Sequence, residues 1–314
     1  MLGAVARFGI PDVLGDRALT AAEIARAREL DPDLVHRTLR ALAAAGVFTM
    51  DGDGRFRNNR LSRVLCGGGL VRARELAVYF ASHSNASAWV DFARTLQTGR
   101  SAFDRVHGQS VWDWFEAHDD ERENFAHTMM GITVRDAPVV AKLAPLAGVK
   151  VLCDVGGGRG TLLSEILLRH PHLRGILLES RGVLASARPL FEARGVADRV
   201  ELVAGSFFES VPAGADAYLM KNILHDWDDG TCGRILATVA RAAAPGAKLL
   251  LCEAIVPHTS RDPLATWSDL QMIVACEGRE RSLDELRALA GDAGFTFVAE
   301  HAHPTISVVE LVRR

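Results

Sequence analysis

The stretch Asp154 to Gly160, DVGGGRG, follows directly on the apolar run VKVLC and limits the fold more than any other part of the chain. Glycines there put bare backbone at the carboxyl end of a buried strand, the edge at which open α/β sheets hold their ligands. From about residue 146 the pattern alternates strand, loop and helix, through TLLSEILLRHP, LRGILLES, RVELVAGS, ADAYLMKNIL, CGRILATVARAAAPG and AKLLLCEAIVP. Strands this continuously apolar predict a parallel sheet covered on both faces, so the fold class is α/β.

Two other parts precede this domain. Residues 1–65 read as helix, turn, helix and wing. Thr20 and Glu23 form a capping-box pattern, and Asp31 with Pro32 starts a helix with apolar Leu34, Leu39 and Leu42 that Gly46 stops. DGDG then marks a hairpin. Residues 66–145 read as helical, with Trp89, Phe92, Leu96, Trp112, Phe115, Phe125 and Met129 at core spacing, and GGG at 67–69 as a loop.

Charge narrows the partners. Residues 1–65 hold ten Arg, no Lys and eight acids, and the second helix opens on two acids where a recognition helix meets phosphate. A packing or dimerising module is therefore expected, with no nucleic acid. A formal net charge of −3 gives no reason for an anionic membrane, and MLGAVARFGIP is broken by Arg7 and Pro11 before it reaches membrane length. Five scattered cysteines without a CxxC pair suggest reduced thiols in a cytoplasmic protein, with Cys153, Cys252 and Cys276 as small core hydrophobes.

The glycine spacing selects the ligand. No GxxxxGK[ST] occurs, and a GxGxxG fingerprint would need glycine at 161, where Thr161 stands. What is present is Asp154, Gly156, Gly158 and Gly160 in a DxGxGxG pattern, whose leading acid would repel a pyrophosphate and suits a cation. Glu179, ending the next strand, has two oxygens for the 2′ and 3′ hydroxyls of a ribose. S-adenosyl-L-methionine carries a ribose, an ammonium and a sulfonium without phosphate, and meets these demands.

Together with GSFFESVP, YLMKNILHDWDD and GRERS, the loop resembles the class I methyltransferases, more narrowly the plant-type and antibiotic-pathway small-molecule O-methyltransferases. The resemblance implies a Rossmann-like methyltransferase domain over 146–314, a winged-helix-like dimerisation domain over 1–65 and a substrate-covering helical segment over 66–145. It implies S-adenosyl-L-homocysteine as product and a homodimer. The family commonly carries a helical segment ahead of LGAVARFGIPDVL, so either a reduced dimer interface or a truncated sequence is expected.

At matching positions Gly156 and Gly158 should admit the methionine part, Phe207 should lie against adenine, and Lys221 should border the pocket. Glu179 replaces the family's usual Asp, and Ser206 stands where an Asp often meets the adenine amino group. His225 is the expected general base, Glu253 and Glu280 the acids flanking it, and Asp226 an accessory contact. Asp226, Asp228 and Asp229 read as solvated helix-start acids, so no metal is expected. Met130, Trp227, Asp269 and Met272 are expected walls for a hydroxylated aromatic or polyketide-type acceptor. Relatives that hydroxylate or decarboxylate, and a DNA-binding metabolite sensor, are the competing readings.

Overall fold

The computed structural model describes residues 1–68 and 73–314, which form two compact units. The first comprises residues 1–90 and 111–132; the second comprises 91–110 and 133–314. The helical stretch between the two sequence-expected domains is thus divided between both units, and Asp119–Leu143 is one helix whose residues belong to both.

In the first unit, the Thr20 hydroxyl accepts the Glu23 N–H while the Glu23 carboxylate takes the Thr20 N–H, which starts the helix Ala21–Arg28. Asp31 caps the helix Pro32–Ala44, and Gly46 follows it with a φ of +81°. Strands β1 (Phe48–Met50) and β2 (Phe56–Asn58) make the antiparallel wing. Phe48, Phe56, Leu39, Leu42 and Ile24 close the core. Leu34 is exposed, because Val35 takes the inward position one residue later. Leu96 also faces solvent, its helical turn being buried through Thr95. Of the expected loop at 67–69, residue 69 lies outside the described residues.

The second unit is built on a seven-stranded sheet. Its strands are β3 (Val151–Val155), β4 (Arg174–Glu179), β5 (Val200–Ala204), β6 (Ala217–Lys221), β7 (Lys248–Glu253), β8 (Phe295–His301) and β9 (Ser307–Arg313), in spatial order 5-4-3-6-7-9-8. Strands β3 to β7 are parallel, and β9 runs antiparallel between β7 and β8. The helices Asp229–Ala242 and Leu283–Asp292 cover one face and Thr161–Arg169 and Ala187–Ala193 the other, so residues 217–220 of β6 are fully enclosed.

Order reverses between β3 and β6, and crevices at such reversals hold ligands. The carboxyl ends of these strands deliver Asp154, Glu179, Lys221 and Glu253 to one edge. Cys153, Cys232 and Cys252 are buried; Cys276 is half-buried as a residue, with its thiol donating to the Met272 carbonyl at 3.3 Å.

Gly160 enters the helix Thr161–Arg169 at a φ of +79°, and a Cβ there would lie 2.2 Å from the buried Phe191 ring. Gly160→Ala should therefore cost about 2 kcal/mol or more in chemical denaturation, from left-handed strain plus overpacking. A loss within a few tenths would mean that the ring moves aside freely.

Candidate active site

The turn after β3 keeps Gly156, Gly158 and Gly160 at positive φ, where side chains other than glycine's are strained. Gly156 is also hemmed in: a Cβ would meet Ile223 at 2.7 Å and the Phe207 ring at 3.2 Å. Phe207 thereby borders the glycine loop. A Cβ on Gly158 would meet nothing within 4 Å, so its backbone is open. Gly157, which the DxGxGxG spacing leaves out, is needed as well, because Asp154 Oδ2 lies 2.3 Å from where its Cβ would be.

Asp154 is 1% exposed, and its Oδ2 has no hydrogen-bond partner among the described residues. Burial, then the nearby charge of Glu179, lifts its carboxyl to about 7, against some relief from Lys221. A buried acid without a partner beside bare backbone fits a cationic ligand group. Glu179 turns Oε2 to the Gly158 N–H at 3.0 Å and Oε1 to the Ser180 N–H at 2.7 Å, which ties the ends of β3 and β4 together. Ser206 accepts the Phe208 N–H, and the ring series Phe207, Phe208, Trp227 continues at centroid spacings of 4.8 and 4.9 Å. The Lys221 ammonium is buried 3.7 Å from Asp136 Oδ2, and that burial lowers its pKa.

Beyond β6 the chain turns through Asn222, a left-handed residue at φ +52°, into the short turn Leu224–Asp226. Glu253 fixes this turn: its Oε1 accepts the N–H groups of Ile223 and Leu224 at 3.2 and 3.0 Å. Glu280 Oε1 lies 3.1 Å from His225 Nδ1 and also accepts the Ser268 hydroxyl at 2.7 Å. Asp269 Oδ1 takes the Glu280 N–H at 2.9 Å. His225 Nε2 is 3.5 Å from Asp226 Oδ1.

Glu280 therefore orients the ring, whereas Glu253 serves the backbone that carries it. Asp226 is part of this cluster rather than a solvated helix-start acid. Asp228 is the cap of the helix Asp229–Ala242, accepting the Thr231 N–H at 2.6 Å, and Asp229 pairs with Arg281. The three acids are committed to three different partners.

Burial opposes charge on His225, but Asp226, the Glu280 hydrogen bond and charge, and Glu253 outweigh it and raise the ring to about 10. Burial likewise raises Glu253 to about 7 and Asp226 to about 6, in each case against relief from His225. Glu280 stays below the ordinary carboxylate value despite burial, because the His225 bond and charge, Ser268 and Arg281 all favour its anion. The group titrates as a unit. His225, Glu253 and Glu280 each offer a ligand atom within 4.8 Å of the others. Oε1 of both acids is already engaged, and Oε2 of both has no partner.

Met272 is half-buried on the helix Pro263–Cys276, and Met130 is half-buried on Asp119–Leu143, within the other unit. Two members of the cluster were given no role from the sequence, although Gly278 opens the GRERS motif. Ser268 has no signal in the chain, while Gly278 stands two residues before Glu280, and a Cβ there would sit 2.0 Å from the His225 carbonyl oxygen.

Residues 89–296 match the family model of an O-methyltransferase domain, and residues 1–68 that of an O-methyltransferase dimerisation domain. The chain belongs to the O-methyltransferase family. A mitomycin biosynthesis 6-O-methyltransferase of Streptomyces lavendulae is 36% identical, over 91% of this chain and 82% of its own length. The solved structure of a mitomycin 7-O-methyltransferase superposes with a TM-score of 0.95 at 33% identity, covering 100% of this chain and 93% of that one. An O-methyltransferase from neocarzinostatin biosynthesis, in complex with S-adenosylmethionine and 2-hydroxy-5-methyl naphthoic acid, superposes with a TM-score of 0.90 at 32% identity, covering 100% and 95%. Among the described residues no helix is long and apolar enough to cross a membrane.

Asp154 supplies a test of the glycine loop. Its folded-state pKa lies above the ordinary 3.8, so its charge destabilises the ligand-free fold increasingly as pH rises from about 4 to about 7. Asp154→Asn should stabilise the ligand-free protein in thermal unfolding at pH 8, with the gain vanishing near pH 4, and should weaken S-adenosyl-L-homocysteine binding. A pH-independent change would remove the buried-charge account.

Proposed function

We propose that the enzyme moves the methyl group of S-adenosyl-L-methionine to a phenolic hydroxyl of an aromatic or polyketide-type secondary metabolite, with His225 as general base. S-adenosyl-L-methionine supplies a methyl already activated on a sulfonium, and S-adenosyl-L-homocysteine is released. The chain's own part is to bind, orient and take a proton. The 3.1 Å contact between Glu280 Oε1 and His225 Nδ1 carries this reading. It holds the ring in the tautomer that leaves Nε2 to accept the phenolic proton.

Basicity supports the same role. A free phenol has a pKa of about 10 and a free imidazole about 6.5, a mismatch of roughly 5 kcal/mol for full proton transfer. Raising the ring to about 10 removes most of that gap. Glu253 and Glu280 supply negative charge around the imidazolium formed, and Asp226 shares it. Asp154, Gly156 and Gly158 receive the methionine part, with Glu179, Ser206, Phe207 and Lys221 along the nucleoside side. Trp227 and Met272 wall the acceptor, and Asp269 acts through Glu280.

In this reading residues 1–65 dimerise the protein and 146–314 hold the donor. Exposed Leu2, Phe8 and Leu61 in the first unit suit a surface that a second copy covers in a homodimer.

With methyl-labelled donor and a panel of hydroxylated naphthoates, label should appear on the acceptor oxygen. His225→Ala should lower kcat by about 10²- to 10⁴-fold while S-adenosyl-L-homocysteine affinity stays within about twofold. Donor left intact while the acceptor changes would overturn methylation; equal losses in kcat and affinity would make His225 structural.

The ring remains charged until about pH 10, so kcat should rise with pH through the neutral and alkaline range. Glu280→Gln removes an acceptor charge, lowers the ring's pKa and should move that rise to lower pH. A profile that stays in place would exclude Glu280 as the group setting the base.

A further inference from the structure

We propose that Arg281 is a positioning residue, whose buried guanidinium clamps the turn carrying His225 and so fixes where the ring's Nε2 faces. This rests on the reading of His225 as the base. Arg281 is 3% exposed and has no role in the preceding account beyond its charge. Its Nη1 donates to the Leu224 carbonyl and its Nη2 to the Trp227 carbonyl, both at 2.7 Å. These two residues bracket His225 and Asp226. Nε and Nη2 both donate to Asp229 Oδ1, at 3.0 and 2.8 Å, which anchors the fork to the start of the helix Asp229–Ala242.

The clamp is itself held on its other side. The Arg281 carbonyl accepts the Val256 N–H at 3.0 Å, and a parallel bridge joins Arg281 to Ile255 beyond the end of β7. Gly278 lets the same segment approach the turn, since any Cβ would overlap the His225 and Asp226 backbone. Four residues, 278–281, thus control the base at three levels. Gly278 sets the approach of the two backbones, Glu280 aims the ring, and Arg281 fixes the carbonyls on either side of it.

A planar guanidinium can bridge two carbonyls and a carboxylate at once, because its donors have fixed directions. An ammonium keeps the charge but cannot reproduce that fork. The distinction matters because proton transfer tolerates little misplacement, and an error near 1 Å can cost about 10²-fold in rate.

The experiment compares Arg281→Lys, Arg281→Met and Asp229→Asn with the parent and with His225→Ala. Both Arg281 variants should lose between about 10- and 100-fold in kcat, with KM values and S-adenosyl-L-homocysteine affinity by calorimetry within about twofold. Their alkaline rise in kcat should move to lower pH, as the ring loses alignment with Glu280. Asp229→Asn, at an exposed position, should fold normally and show a smaller change of the same kind. Parent-like kcat and pH profile in Arg281→Lys overturn the proposal, as does a loss of S-adenosyl-L-homocysteine affinity in step with kcat. If the Arg281 variants do not fold, a parent-like kcat and pH profile in Asp229→Asn overturn it. Should His225→Ala keep the parent's turnover, the base reading falls and takes the proposal with it. Should His225→Ala lose turnover while Arg281→Lys keeps it, the proposal alone falls.

Discussion

The whole site hangs on a buried carboxylate holding backbone. Glu253 ends β7 and accepts two consecutive N–H groups, those of Ile223 and Leu224, from the neighbouring β6 connection. Those donors would otherwise be left without partners just where the chain leaves the sheet through a left-handed Asn222. Because β6 and β7 are paired in register up to Lys221 and Cys252, the carboxylate's reach is set by the sheet and not by a mobile loop. His225 is accordingly presented from a rigid edge.

Charge then gives this geometry its chemistry. Three acids converge on one imidazole in a poorly solvated setting, and two of them are driven toward their neutral forms by burial. Glu280 differs because Ser268, Arg281 and the ring all favour its anion. Glu280 is thus the acid of the three whose anion its surroundings favour. A fourth acid, Asp154, lies at the end of β3 across the strand-order reversal, its Oδ2 without a partner among the described residues. The same edge of the sheet therefore carries a buried acid at the end of β3 and the His225 cluster beyond the end of β6.

Much of this was legible in the chain. The parallel sheet followed from near-continuous apolar strands, and DVGGGRG, YLMKNILHDWDD and GRERS marked segments that the fold brings to one edge of that sheet, His225 and Glu280 among them, because backbone demands and motif residues are local in sequence. The division of labour between Glu253 and Glu280 was not legible, since it depends on which acid faces a ring and which faces two N–H groups. Asp226 read as a solvated helix-start acid for a similar reason: Asp228, two residues on, is the actual cap. Leu34 and Leu96 show the limit of periodicity, where the neighbouring Val35 and Thr95 take the buried positions. Ser268 and Asp269 support Glu280 from a separate helix, and no spacing reveals a contact made only by tertiary packing.

The central claim is that surrounding carboxylates turn His225 into an unusually strong proton acceptor. Nuclear magnetic resonance titration of the His225 ring in the ligand-free protein, assigned by its absence in His225→Ala, measures this directly. The account predicts a ring that stays protonated through neutral pH and titrates near 10. A midpoint at or below the ordinary histidine value of about 6.5 would contradict it.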